Sequence, residues 1–242
     1  MIINLYFLVF FLAINPPLGQ TRVENGHIEY SIIYEQEKKD DNGEGQYETE
    51  KNAVVLALSE IKGELFFNSE RSRYVVKSIL GKENDLPYKV ARIMAGNEWF
   101  IYRNEQTKIE RIRTMGEIFN VERPYETYDW AISNESKMIG NFKTFKATAS
   151  FTEKNNFTNK TEDFQVKAWF CPDIHFPYGP KGVNGLPGLV LEVNFGSIII
   201  RADRINLNIE KNRNLQDVPK NGIQISNEDF NELRRKRYSK KF

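Results

Sequence analysis

The chain has 242 residues, enough for one β-rich domain or at most two small ones. Its 34 Lys and Arg nearly cancel its 33 Asp and Glu, so no chain-wide field draws it to nucleic acid or to an anionic membrane. Aromatic residues make up 13% of it, beside many Ile and Val, which favours packed strands over a helical bundle.

The first residues read MIINLYFLVFFLAINPPLGQ. Ile2 to Ile14 is apolar apart from Asn4, falls short of the roughly 20 residues that span a bilayer, and is followed by the helix breakers Pro16 and Pro17. A short apolar core, a breaker and the small residue Gly19 predict a secretory signal peptide over residues 1–19. Residues 20–242 are then a single β-rich domain with no stable membrane span after cleavage. Two features depart from the signal pattern: no Lys or Arg precedes the apolar core, and Pro17 stands where a small residue is usual. The competing reading is a buried N-terminal strand or a membrane anchor. No cysteine follows the apolar core, which argues against a lipid-anchored lipoprotein. Cys171 is the only cysteine, so an exported chain has no internal disulfide and must be held together by core burial.

HIEYSIIYE, from His27 to Glu35, reads as a strand, and the polar, glycine-containing run EQEKKDDNGEGQYETEK after it as a long mobile hairpin loop or a disordered insertion. Ala53–Ser59, Gly63–Ser69 and Arg73–Ile79 read as three further strands, GKENDLPY as a polar loop, and Glu98–Asn104 and KIERIRTMGEIF as two more strands. The second half continues with YETYDWAIS, FKTFKATASF, DFQVKAWF, LVLEVNF and SIIIRADRINL. Short strands separated by polar turns predict a mainly β fold, an antiparallel curved sheet forming a half-barrel or sandwich. No helical periodicity is evident before the C-terminus. A short C-terminal helix begins at Ser226, which with Asp229 makes a capping-box-like start, with acids in the first turn and bases in the last.

Gly179, Gly182, Gly185 and Gly188 recur every three residues in YGPKGVNGLPGLVLEV. A Walker-type loop needs Lys and a hydroxyl after the last glycine, and a dinucleotide fingerprint needs a helix; here Leu189 and a strand follow. Four glycines are too few for a collagen helix. Turn chemistry remains: Pro187-Gly188 fits the centre of a type II turn with Gly188 at positive φ. The turn delivers Leu189, Leu191 and Val193 on one strand face, with Val190 and Glu192 on the other. Cys171, Asp173 and His175 share a face in CPDIH, but residues two apart on a strand stand roughly 7 Å apart, and no second ligand cluster exists. Neither a metal site nor a Cys–His nucleophile pair follows, and a G-x-S-x-G elbow is absent. No catalytic residue, metal or cofactor is assigned. Sequons stand at Asn134, Asn156 and Asn159, and the basic run RRKRYSKK either complements the helix dipole or meets an anionic surface.

At GLPGLVLEV the sequence resembles the GLPGLI family of exported bacterial proteins. Trp130, Lys137, Ile139, Gly140, Lys146 and Ala147 hold positions of one family series, with Asn141-Phe142 where Gly-Tyr is usual. Ala168, Trp169, Phe170, Ile174, Gly179 and Pro180 match a second series. The resemblance covers Asp129 to Val193. Thr144 lies in a segment where members often carry Cys, and Cys171 stands where many carry Thr. The resemblance implies a periplasmic or cell-envelope location and no established reaction.

The expected function is therefore a non-enzymatic envelope binding module for an apolar ligand, a peptide or a partner protein. The alternative is a hydrolase or peptidase-associated enzyme with an unrecognised site. The expected binding residues are Trp169, Phe170, Tyr178, Gly179, Pro180, Gly185, Leu186, Pro187 and Gly188, and the partners that fit are an envelope protein, a peptide or a lipid.

Overall fold

A computed structural model describes residues 24–35, 46–154, 161–209 and 214–239. The signal peptide and the sequons at Asn156 and Asn159 lie outside the described residues. The strands are β1 (Asn25–Tyr34), β2 (Lys62–Asn68), β3 (Arg71–Val76), β4 (Glu98–Tyr102), β5 (Thr107–Thr114), β6 (Glu117–Arg123), β7 (Ala131–Ile139), β8 (Phe142–Lys154), β9 (Thr161–Cys171), β10 (Leu189–Phe195), β11 (Ile198–Leu207) and β12 (Ile223–Ser226). They form one open 12-stranded sheet in the order β12-β6-β5-β4-β3-β2-β1-β11-β10-β9-β8-β7. Two antiparallel meanders, β1 to β6 and β7 to β11, meet where β1 pairs with β11, and β12 joins β6 in parallel.

Period-two alternation decides which side of the sheet is the core. In β1, Ile28, Tyr30 and Ile32 are buried, and they face Leu65 and Gly63 of β2 on one side and Ile205, Ala202 and Ile200 of β11 on the other. This inner face continues through Tyr74, Val76, Val166, Ala168 and Val193 into one hydrophobic cluster.

Among the described residues three α-helices accompany the sheet: α1 (Gln46–Glu60), α2 (Leu86–Ala95) and α3 (Asn227–Ser239). The expected strand at Ala53–Ser59 is the second half of α1, and part of the expected loop before it is its first half. Val54 to Leu58 is apolar without a break, so helix and strand look alike in the sequence, and packing decides. Ala57 and Leu58 enter the core. The GKENDLPY segment likewise runs into α2, whose N-cap Asp85 accepts from the Tyr88 amide and whose first turn holds Pro87. Tyr88, Ala91 and Ala95 are its buried face. KIERIRTMGEIF divides into β5 and β6 at Met115-Gly116, both at positive φ.

The C-terminal segment clasps the β6 edge. Residues 214–222 cross the outer face, where Arg73 donates to the Asn214 carbonyl, Tyr102 accepts from the Val218 amide, and Arg111 and Asn120 donate to the Pro219 carbonyl. β12 then lines the edge, and α3 packs Phe230 against Phe119 on the inner face, ring centroids 5.3 Å apart. The helix starts as expected, with the Asp229 amide donating to Ser226 Oγ. At the opposite edge, β7 is irregular against β8 between Ile132 and Ser136, a break in the ladder that blunts an open edge.

Candidate functional site

The glycine-rich segment leaves β9 at Cys171 and returns as β10 at Leu189. Between them a 3-10 turn at Pro180–Gly182 rests on β2, β3 and β4. Gly182, at φ 73°, lies against the Trp99 indole, where a Cβ would come within 2.2 Å of the ring. Gly188 is not in the left-handed region. Its amide donates to the Leu186 carbonyl at 2.8 Å, a γ-turn around Pro187 instead of the expected type II turn. What requires glycine at 188 is the Cys171 carbonyl, which would stand 2.2 Å from an added Cβ. Beyond it the expected alternation is broken: Val190 pairs with Phe170, Glu192 pairs with Trp169, and Leu191 is the extra residue of a bulge. Leu189, Val190, Leu191 and Val193 are all fully buried.

A lysine ties this segment to the rest of the sheet. Lys108 of β5, 2% exposed, directs its ammonium at Thr127 Oγ1 (2.6 Å), Asn184 Oδ1 (3.1 Å) and the Gly182 carbonyl (3.5 Å). Burial, with a smaller contribution from the nearby Arg123, pushes its pKa down to about 8. Asn184 also donates to the Tyr125 carbonyl and accepts, through its own carbonyl, from the Trp130 indole. The turn's Lys181 reaches the Met94 carbonyl at 3.5 Å, at the C-terminal end of α2. The loop is thus fastened to β5, to the segment before β7 and to α2.

The expected binding residues do not share one surface. Phe170, Tyr178, Gly179, Pro180, Leu186 and Gly188 are buried, Trp169 is half-buried on the outer face, and Gly185 and Pro187 form an exposed tip beside Trp130. Burial raises the Tyr178 phenol well above its ordinary range, so it stays neutral. The Cys171 thiol is fully buried and is likewise raised by burial, while Asp173 and His175 are exposed. Cys171 therefore packs as a small apolar side chain and has no thiolate character.

Residues from separate segments of the resemblance do meet on the outer face. Lys146, Trp169, Glu192 and Arg201 line up in one row across β8 to β11. Lys137 of β7 sits 2.7 Å from Glu192 Oε1 and 4.4 Å from the Trp169 ring centroid, and Arg201 binds the other carboxylate oxygen. The Glu192 side chain, 6% exposed, is ion-paired from both sides and forms a bracket between β7 and β11. Glu192→Ala is expected to lower stability by about 2 kcal/mol, because it leaves Lys137 and Arg201 facing each other without an anion; a urea titration measures it.

A concave feature lies in the helical layer, where no site residue was expected. A cleft of about 300 Å³ opens between α1 and α2 over the end of β1, walled by Tyr34, Val54, Val55, Leu58, Val90 and Met94 with Glu50 and Lys51 at its polar side. Large apolar side chains also stand in solvent, Leu56 (65%) on α1, Leu86 (70%) and Ile93 (80%) on α2, and Leu80 (94%) in the segment before α2. Leu86, Val90 and Ile93 fall on one outward stripe of α2, opposite its buried stripe. Among the described residues, no cluster of His, Cys, Asp and Glu has the arrangement of a metal site, and no helix is long and apolar enough to cross a membrane.

A family model described as "Protein of unknown function (Porph_ging)" matches residues 150–192, which include Trp169, the buried loop and Glu192. No curated protein matches the sequence. Two solved structures of PNGF-II, in C2 and P21 crystal forms, superpose with TM-scores of 0.55 and 0.52, each at 14% identity over 87% of this chain. At that identity the likeness is one of fold. The chain spans about a third of their length, 32% and 33%. The sequence is thus similar, over residues 150–192, to a family of unknown function, and its open sheet is similar to part of a longer protein.

Proposed function

We propose that this protein is an exported, non-enzymatic envelope protein of the GLPGLI type that binds an apolar ligand in the cleft between α1 and α2. The observation that carries this reading is the cleft itself: a concave, apolar-walled space with charged residues at one side, whose Val90 wall continues into the exposed Leu86–Val90–Ile93 stripe of α2. Its volume, about 300 Å³, lies at the lower end of ligand sites and suits a single acyl-like chain or the apolar side chains of a short peptide. The glycine-rich loop, assigned the binding role by sequence, serves in this reading as the floor of the core and as the support of α2 through Lys181. The envelope location rests on the apolar N-terminal run and on the sequence resemblance.

Val54→Trp and Val90→Trp each fill the cleft from a wall that is not fully buried. With a fluorescent naphthylamine as apolar probe, the natural chain is expected to bind and each variant to bind at least about tenfold more weakly, the loss of one well-packed apolar contact region. Equal binding by all three proteins, with unchanged melting temperatures, would remove the cleft as the site. Mass spectrometry of material extracted from the purified natural chain then identifies the occupant.

A further inference from the structure

We infer that the C-terminal end of α3 is a docking surface for an anionic lipid bilayer. Charge is sorted along this helix: Glu228 and Asp229 occupy its first turn, and Arg234, Arg235, Lys236 and Arg237 follow one another near its end. A helix dipole is complemented by bases in the last turn alone, here Lys236 and Arg237; Arg234 and Arg235 go beyond that need. Successive residues are about 100° apart on a helix, so the four cations fan around the end of the axis and do not form one stripe. The fan is held rigidly. Phe230 is 1% exposed beneath it, the Arg123 and Arg234 guanidinium groups cover the Phe230 ring, and Arg237 donates to the Met115 carbonyl of the β5–β6 turn. Lys236 meets Glu232 one turn earlier in an exposed pair that a multivalent anion displaces.

The shape of this surface selects the partner. Phe230, the ring that the guanidinium groups cover, is buried and offers no face for stacking on bases. A fan of cations on a rigid knob suits a plane of phosphate groups, where each Lys or Arg adds about a fivefold gain in partitioning. The chain as a whole is nearly neutral, so the attraction is local and orients the molecule with α3 toward the membrane. The surface is separate from the α1–α2 cleft, and the inference stands or falls independently of it.

The full chain is sedimented with vesicles of phosphatidylcholine alone and of phosphatidylcholine containing phosphatidylglycerol, at low salt and at about 0.15 M salt. Binding is expected only with the anionic lipid, weaker at the higher salt, and about 25-fold weaker for the double variant R235Q/K236Q, two contributions of about fivefold. Both side chains are exposed, so the variant's melting temperature is expected to match that of the natural chain. The inference is overturned if the natural chain ignores the anionic vesicles, if the double variant binds them as well, or if duplex DNA outcompetes the vesicles, which would make the partner a nucleic acid.

Discussion

Gly188→Ala is expected to destabilise the fold by about 3 kcal/mol or more, and Gly185→Ala by only about 1–2 kcal/mol. The order is the informative part, because the backbone angles alone suggest the reverse. Gly185 sits at φ 90°, where an L side chain is strained, yet an added Cβ there meets nothing nearer than the Trp130 ring at 3.8 Å. Gly188 has no such angle, but its added Cβ would stand 2.2 Å from the Cys171 oxygen, 2.7 Å from the Cys171 carbonyl carbon and 2.8 Å from Pro172 Cα. All three are main-chain atoms at or just past the end of β9, so relief requires β9 and β10 to separate where Leu189 pairs with Cys171 and Val190 with Phe170. Urea unfolding of the two variants and the natural chain measures the order. A larger loss for Gly185→Ala would show that turn geometry, and not the approach to β9, is what the glycine spacing serves.

The second large effect concerns Lys108 and depends on pH. Its folded pKa is lowered to about 8, against about 10.4 for an unfolded lysine. Between those values the unfolded chain keeps a proton that the folded chain has released. Unfolding then takes up a proton, and stability rises with pH. From pH 7 to pH 9.5 the gain from this one group is about 2 kcal/mol, largely lost below pH 8, where both states carry the charge. Other groups act in the opposite direction: Lys77 is raised by its contact with Glu64, and Tyr30 and Tyr74 are raised by burial. The measurement is therefore the difference between the natural chain and Lys108→Met, in urea at pH 7 and at pH 9.5. The natural chain is expected to gain about 2 kcal/mol on the variant over that interval. A constant difference would show that the three oxygens around the ammonium outweigh its desolvation and keep it protonated.

The sheet was legible because its strands alternate and end in turn residues. LVLEVNF is β10 to the residue, and the Ser226 cap sets the start of α3. What escaped has physical reasons. The Val54–Leu58 run carries no periodicity because α1 meets three environments: cleft at Val54 and Val55, solvent at Leu56, core at Ala57, with Leu58 between core and cleft. A signal for α2 did exist, Asp85 followed by Pro87, but it lay inside a polar stretch read as loop. Lys108 was invisible as a loop fastener because KIERIR alternates charged and apolar residues on both faces, so neither face declares itself. Asn184, its partner, looks like ordinary turn composition. The loop's place was half legible: a turn at Pro187-Gly188 leading into a core strand could be read, while its γ-turn form and the bulge at Leu191 leave no mark in composition.

The position of β1 carries a consequence for how the chain reaches this state. The first strand lies in the middle of the sheet, and its partner β11 lies at the far end of the sequence, Gly26 opposite Leu207. Each meander forms from neighbours in the chain, but the seam between them closes a loop of roughly 180 residues, an entropy cost of about 4–5 kcal/mol that no local contact offsets beforehand. Until β11 has emerged, the inner side of β1 has no second neighbour, and Ile28, Tyr30 and Ile32 stay uncovered. The chain therefore folds late and slowly, held open until nearly all of it is present.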